Sequence, residues 1–141
     1  MVIKNTNYDK VNNLSNKEEY AVNLITSIFE KYLNNAAADI FSLNSQYNES
    51  IEYYDKILKS DNKNINAYNN KGHALYNLGR YEEAIKCFDK VLELDDKNIN
   101  PYNNKGSSLS ALGRYEEAIK CFDKVLELDN KNINAYNNKG H

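Results

Sequence analysis

The sequence predicts an all-α protein, an α-solenoid of antiparallel helix hairpins, and three observations carry that reading. Residues 68–100 and 102–134 are one stretch written twice at an offset of 34, and only 5 of the 33 aligned positions differ. Within each copy the apolar residues recur at helical spacing: Tyr68, Gly72, Leu75 and Leu78, then Tyr81, Ala84, Ile85, Phe88, Val91 and Leu92. The breaks in that pattern, Leu78-Gly79 and Asp95-Asp96-Lys97-Asn98, fall between the stripes, so each copy reads as helix, tight turn, helix. A hairpin of this size cannot bury its apolar face alone, so copies of it stack.

Taken in chain order, residues 1–14 are polar and are expected to form a flexible N-terminal segment. Ser15-Asn16-Lys17-Glu18 has the pattern of a capping box, in which the serine and glutamate satisfy each other's backbone donors at a helix start. Tyr20, Ala21, Leu24, Ile25, Ile28 and Phe29 follow at helical spacing. Residues 15–30 are therefore expected to be a capping helix that shields the open end of the stack. Residues 31–64 form a degenerate first unit. Their second half, with the start of the next unit, reads YNESIEYYDKILKSDNKNINA and aligns with the repeat, while the first half supplies small and apolar residues around Ala36-Ala37-Ala38. Whether the helix continues through Asn34-Asn35 or breaks there is left open by the residues alone.

Residues 65–98 and 99–132 are the second and third units, and 133–141 begin a fourth with Tyr136-Asn137-Asn138-Lys139-Gly140-His141. Gly79 is placed as the stop after the first helix of its unit. Asn100 before Pro101 reads as an N-cap and first helical residue, and Asn66 and Asn134 take the same role in their units. The face of the third unit is covered only by residues 136–141, which points to a homo-oligomer closed through that end, or to a longer array.

The unit resembles the tetratricopeptide repeat family. Tyr68-x2-Lys71-Gly72-x2-Leu75 followed by Ala84-x3-Phe88, and Tyr102-x2-Lys105-Gly106-x2-Leu109 followed by Ala118-x3-Phe122, follow the family pattern in a 34-residue period. Tyr stands where Trp is usual, Lys71 and Lys105 where Leu is common, and Asp96 and Asn130 where the family has proline. The resemblance implies a right-handed superhelix whose first helices line a concave groove that binds extended peptides.

Composition narrows the function. With 18 basic and 20 acidic residues the net charge is −2, which disfavours a nucleic-acid partner. No apolar run approaches a membrane span and the start lacks a signal peptide's apolar core, so neither a membrane nor a secreted setting is expected, and the chain is read as cytoplasmic. Cys87 and Cys121 occupy identical contexts 34 residues apart, without a CxxC motif or Cys/His cluster, and are expected to be free thiols with no metal. His73 and His141 are equivalent positions two units apart, too far for a shared metal or proton relay. The Glu82-Glu83 pair opens a helix, where it complements the dipole and Glu82 can pair with Lys86. No catalytic residue and no cofactor are expected.

The candidate site comes from the positions that differ between the near-identical copies: His73/Ser107, Ala74/Ser108, Tyr76/Ser110, Asn77/Ala111 and Asp96/Asn130. His73, Tyr76 and Asn77 share a face with Asn69, opposite the Tyr68-Gly72-Leu75 packing stripe. The resemblance makes that face the groove; drift on an exposed face after duplication is the other reading. Asn69-Asn70, Asn103-Asn104 and Asn137-Asn138 would repeat along it as an amide array, each amide both donor and acceptor toward the backbone of a bound peptide. His73, Tyr76 and Asn77 would select side chains in the second unit, and Ser107, Ser110 and Ala111 would leave more room in the third. A carboxylate-clamp mode is disfavoured, because Lys71, Lys105 and Lys139 fall near the packing side and Arg80 and Arg114 in turns. The expected function is a non-catalytic protein-interaction module holding a protein or peptide ligand. The alternative is a self-assembling array, or a scaffold fragment of a longer protein.

Overall fold

The computed structural model describes residues 15–139, with side chains described as far as Lys131. The expectations for residues 1–14, for His141 and for the side chains of Asn134, Asn137 and Asn138 lie outside the described residues. Six helices follow in order: α1 Asn16–Leu43, α2 Tyr47–Ser60, α3 Ile65–Asn77, α4 Tyr81–Leu94, α5 Ile99–Ala111 and α6 Tyr115–Lys139. α1 pairs with α2, α3 with α4 and α5 with α6. Across units α2 packs on α3 and α4 on α5, and α3 touches α5 lightly. The result is an all-α solenoid.

Each hairpin turn is built the same way. The N–H of Arg80 reaches the Leu75 carbonyl (2.9 Å) and that of Gly79 the Tyr76 carbonyl (3.0 Å), which satisfies the last orphan carbonyls of α3. Gly79 takes φ +76° to make this closure, and Gly113 takes φ +77° in the next unit. Ser45, 34 residues before Gly79, closes the first hairpin at φ 59°, with Gln46 N–H on the Phe41 carbonyl at 2.8 Å. The degenerate unit therefore keeps the turn while lacking its glycine.

The core runs along the hairpins' inner faces. Gly72 lies against Phe88 and Gly106 against Phe122; a Cβ on either glycine would come within 2.6–2.7 Å of the ring. Phe88 is fully buried, with Ile51, Ala74, Leu75, Ala84 and Cys87 around it. Lys71 bonds Asp55 (2.5 Å) and Lys105 bonds Asp89 (2.6 Å), each pair tying the first helix of a unit to the second helix of the unit before. These pairs are half exposed, so they set register more than they add stability. Cys87 and Cys121 are free and buried, and burial pushes the Cys87 thiol up to about 11.

One open question is answered and four local expectations are corrected. α1 is one helix of 28 residues, because Ala36-Ala37-Ala38 outweigh Asn34-Asn35 and nothing else in it breaks a helix. At ~1.5 Å per residue α1 is about twice the length of its partner α2. Its first half does not shield the stack: Tyr20 is 70% exposed, and Leu24, Ile25, Ile28 and Phe29 are exposed with it. The N-caps are Asn64 and Asn98, not Asn66 and Asn100. Asn64 Oδ1 accepts from Ala67 N–H at 3.0 Å, and Pro101 becomes the third helical residue, where a missing N–H leaves no bond unmade.

Glu82 does not pair with Lys86. It reaches across to Arg114 of the next unit (3.5 Å), while Arg80 forks onto Glu83 at 2.5 and 2.8 Å. Finally, no turn separates a fourth unit: α6 runs unbroken through residues 129–133 to Lys139. The turns at 61–64 and 95–98 are each followed by a full hairpin to pack against. Within α6, Lys131 bonds Glu127 one turn back at 3.1 Å.

Candidate binding groove

The first helices of successive units, which are the second half of α1 with α3 and α5, place their non-packing faces side by side. Because each is fixed by its glycine or alanine against the ring of the following helix, the residues three and four positions from that contact are held in register along the stack. His73 of α3 meets Asn104 of α5, with Asn104 Nδ2 at 3.2 Å from His73 Nε2. The ring also stands edge-on to Phe88, with centroids 5.8 Å apart. Burial of that edge lowers the His73 pKa from 6.5. With the amide donating, Nε2 is the unprotonated nitrogen of a neutral imidazole.

This gives a pH prediction. The folded pKa of His73 lies below the unfolded value, so the unfolded chain binds the proton more tightly, and stability falls as pH drops through 6.5 toward the folded pKa. Urea midpoints of the wild-type chain and His73→Gln, measured at pH 7.5 and pH 5, should differ more between pH values for the wild type; equal differences would remove the role of the imidazole.

Between the first and second units the same junction is more open and more polar. A cleft of about 320 Å³ is lined by Asn35 and Asp39 of α1, Tyr54 of α2, and Asn64, Asn66 and Asn70 at the start of α3. Tyr54 is buried at 3% exposure, its hydroxyl lies among Ser42, Asp39 and Asn70, and burial raises its pKa.

Of the sequence-predicted residues, Asn70 lines this cleft. Asn69 and Asn70 are half-buried, and Asn69 Oδ1 is buried with no partner. Asn103 is exposed; Asn104 is engaged by His73. Asn77 donates to its own helix, to the His73 carbonyl at 2.8 Å, and so is less available than expected. Tyr76 is half-buried, packs against the core and stands edge-on to Tyr81 at 5.3 Å, so it is partly a structural residue. Ser107 and Ser110 are half-buried and Ala111 exposed. Of the unlike pairs, Ala74 and Ser108 are in the core, where Ser108 Oγ donates to the Asn104 carbonyl.

Sequence reasoning missed Asn35, Asp39, Tyr54 and Asn66. The 34-residue offset could have found three of them: Asn35 precedes Asn69 and Asn103, Asp39 precedes His73 and Ser107, and Tyr54 precedes Phe88 and Phe122.

Two family models, each described as tetratricopeptide repeat, match residues 31–64 and 63–131. The chain belongs to the tetratricopeptide repeat family. Solved structures agree. The MamA MSR-1 structure superposes with a TM-score of 0.69 at 26% identity, over 72% of this chain and 59% of its own. The second TPR of Spaghetti (RPAP3), bound to the HSP90 peptide SRMEEVD, gives 0.65 at 26% identity, over 70% and 91%. The Arabidopsis OM64 TPR domain gives 0.66 at 24% identity over 70% and 82%, a likeness of fold. The chain spans 55–59% of the length of the first four MamA structures. Comparison with curated proteins gives no match.

Among the described residues no group of three His, Cys, Asp or Glu could hold a metal, and no helix is long and apolar enough to cross a membrane.

Proposed function

We propose that the chain is a non-catalytic module that holds an extended segment of a partner protein in the groove of α1, α3 and α5. The observation that carries this is the pair of amides Asn35 and Asn103, at one position of their units, joined by Asn66 and Asn70 in the cleft; Asn69 stands at the same position with its Oδ1 buried. An amide accepts and donates at once, so it can bond the peptide groups of a ligand whatever its side chains. Asn137 and Asn138 would extend the series. His73, Tyr76 and Asn77 would shape the second unit's share, and Ser107, Ser110 and Ala111 a roomier third. The RPAP3 peptide ends in acidic residues; here Lys71 and Lys105 are turned to Asp55 and Asp89, so an acidic tail is not the ligand we assign. The net charge of −2 supports a protein over a nucleic acid, and the free thiols Cys87 and Cys121 are in keeping with a cytoplasmic site.

A second reading, self-assembly, is favoured by the exposed apolar residues of α1 (Tyr20, Leu24, Ile25) and of α6 (Tyr115, Ile119, Leu126). Ile119 is 57% exposed, while its counterpart Ile85 is 7% exposed beneath the following unit. Membership of a longer scaffold is compatible with both readings.

The test is a selection of peptides from a random phage-displayed library on the chain, followed by affinities of the synthetic lead peptide. Each neutral hydrogen bond contributes ~1 kcal/mol, so Asn70→Ala with Asn103→Ala should weaken binding by about tenfold or more while helicity by circular dichroism is kept. A lead peptide indifferent to both changes, or no selected peptide from a chain that runs as a multimer, counts against the groove and for assembly.

A further inference from the structure

The two unit junctions are built on one plan and differ in chemistry. At the second junction the buried ring is Phe88 and the facing pair is a neutral His73 with Asn104. At the first, the ring is Tyr54, whose hydroxyl opens among Ser42, Asp39 and Asn70, and the residue in the place of His73 is the carboxylate Asp39. We propose that this first cleft is a subsite for a cationic side chain of the bound peptide, a lysine ammonium or an arginine guanidinium; the inference rests on the groove reading and names what one part of that groove selects.

The lining supports a cation on four counts. Asp39 brings the one formal charge among the residues around the cleft, and it is negative. No ion pair to Asp39 is present among the described residues, whereas Asp55 and Asp89 on the second helices are both taken by lysines. Of the other polar groups, the Tyr54 hydroxyl and the Oδ1 atoms of Asn35, Asn66 and Asn70 can accept from an N–H donor. The start of α3 also borders the cleft and carries the positive end of a helix dipole. That end amounts to about half a charge, less than the full charge of Asp39, and its Ala67 N–H is already bound by Asn64. At about 320 Å³, the space takes one long side chain.

The charge pattern also gives direction. A peptide lying along the groove would set its basic residue against Asp39 at the α1 end, and neutral residues against His73 and Ser107 farther on.

The experiment uses the fluorescein-labelled lead peptide from the library selection and measures its anisotropy with the wild-type chain, Asp39→Asn and Tyr54→Phe. Asp39 is exposed, so its amide variant keeps the fold. The lead should carry one Lys or Arg. Replacing it by norleucine or Gln should weaken binding to the wild type about tenfold, the scale of a charge-assisted hydrogen bond, and leave binding to Asp39→Asn unchanged. Tyr54→Phe should cost a smaller loss that also vanishes with the neutral peptide. A second selection on Asp39→Lys should lose the basic residue and enrich Glu or Asp in its place. A lead that loses affinity on Asn103→Ala yet ignores both Asp39→Asn and the basic-to-neutral replacement overturns the subsite and leaves the groove standing. A lead that ignores Asn70→Ala and Asn103→Ala overturns the groove itself, and the subsite with it.

Discussion

Replacing Phe88 by alanine is expected to cost about 3–5 kcal/mol of unfolding free energy, the range for emptying a fully buried aromatic site. Native domains are held by only ~5–15 kcal/mol, so this loss is a large share of the whole. The loss is large because of where the ring sits. Phe88 has no exposed surface, fills the space left by Gly72, and touches Ile51 of the preceding unit as well as Leu75 and Ala84 of its own. A stack of repeats is stabilised by each hairpin and by its interfaces with neighbours. Truncating this ring therefore weakens one hairpin and one interface together, and withdraws the edge on which His73 rests. Phe122 occupies the same place in the third unit but is only half-buried, so Phe122→Ala should cost about half as much. Urea melts of the two variants check this directly, and equal losses would show that burial is not what separates them.

The second large effect is expected at Gly72. Its packing role is steric: a Cβ there would lie 2.6 Å from Phe88 Cε1 and 2.8 Å from Cζ. Gly72→Val should destabilise by about 2–3 kcal/mol, because overpacking of a dense core typically costs ~1–3 kcal/mol and a valine adds two further methyl groups to the clash. Gly79 is the contrast. Nothing lies within 4 Å of a Cβ built there, and its φ of +76° is the whole of its requirement. Gly79→Ala should therefore cost ~1–2 kcal/mol through backbone strain alone. The two causes separate in a rescue. Shortening the ring opposite, Phe88→Leu, should recover part of the loss from Gly72→Val and none of the loss from Gly79→Ala. Additive losses for the Gly72–Phe88 pair would refute the steric account. The first unit shows how such a change can be absorbed: Ala38 stands in place of the glycine and Tyr54 in place of the phenylalanine, both buried.

Much of this architecture was legible from residues alone. The 34-residue offset, the glycine stop and the serine capping box all depend on neighbours a few positions away or on a repeated register, and such patterns survive in a linear string. What was not legible depends on tertiary context. Asn-x-Asn-x-Asn at 62–66 offers three capping residues, and local chemistry does not rank them; Asn64 prevails because Ala67 is drawn into the core beside Tyr54 and Ile57, and because the Tyr68 hydroxyl fastens onto the Asn62 carbonyl at 2.9 Å.

The clearest case is the stretch Asp61–His73, which recurs letter for letter as Asp129–His141. At the first site it makes a turn, a cap and the start of α3; at the second, its residues to Lys139 continue α6. Identical residues take two forms because helix preference is weak in an asparagine-rich segment, so packing decides. Within the groove, the second and third units were legible through their differences, and the first was not, because the repeat pattern is clear in α2 and degenerate in α1.

The His73–Asn104 bond has a consequence for how such a surface changes over generations. The two partners belong to different copies of the repeat, so no copy owns a finished recognition element; each supplies one lip of the seam before it and one lip of the seam after it. Duplicating or deleting a single copy consequently creates one new seam from old halves. An array of this kind can acquire a different ligand preference by rearranging whole copies, before any side chain has mutated.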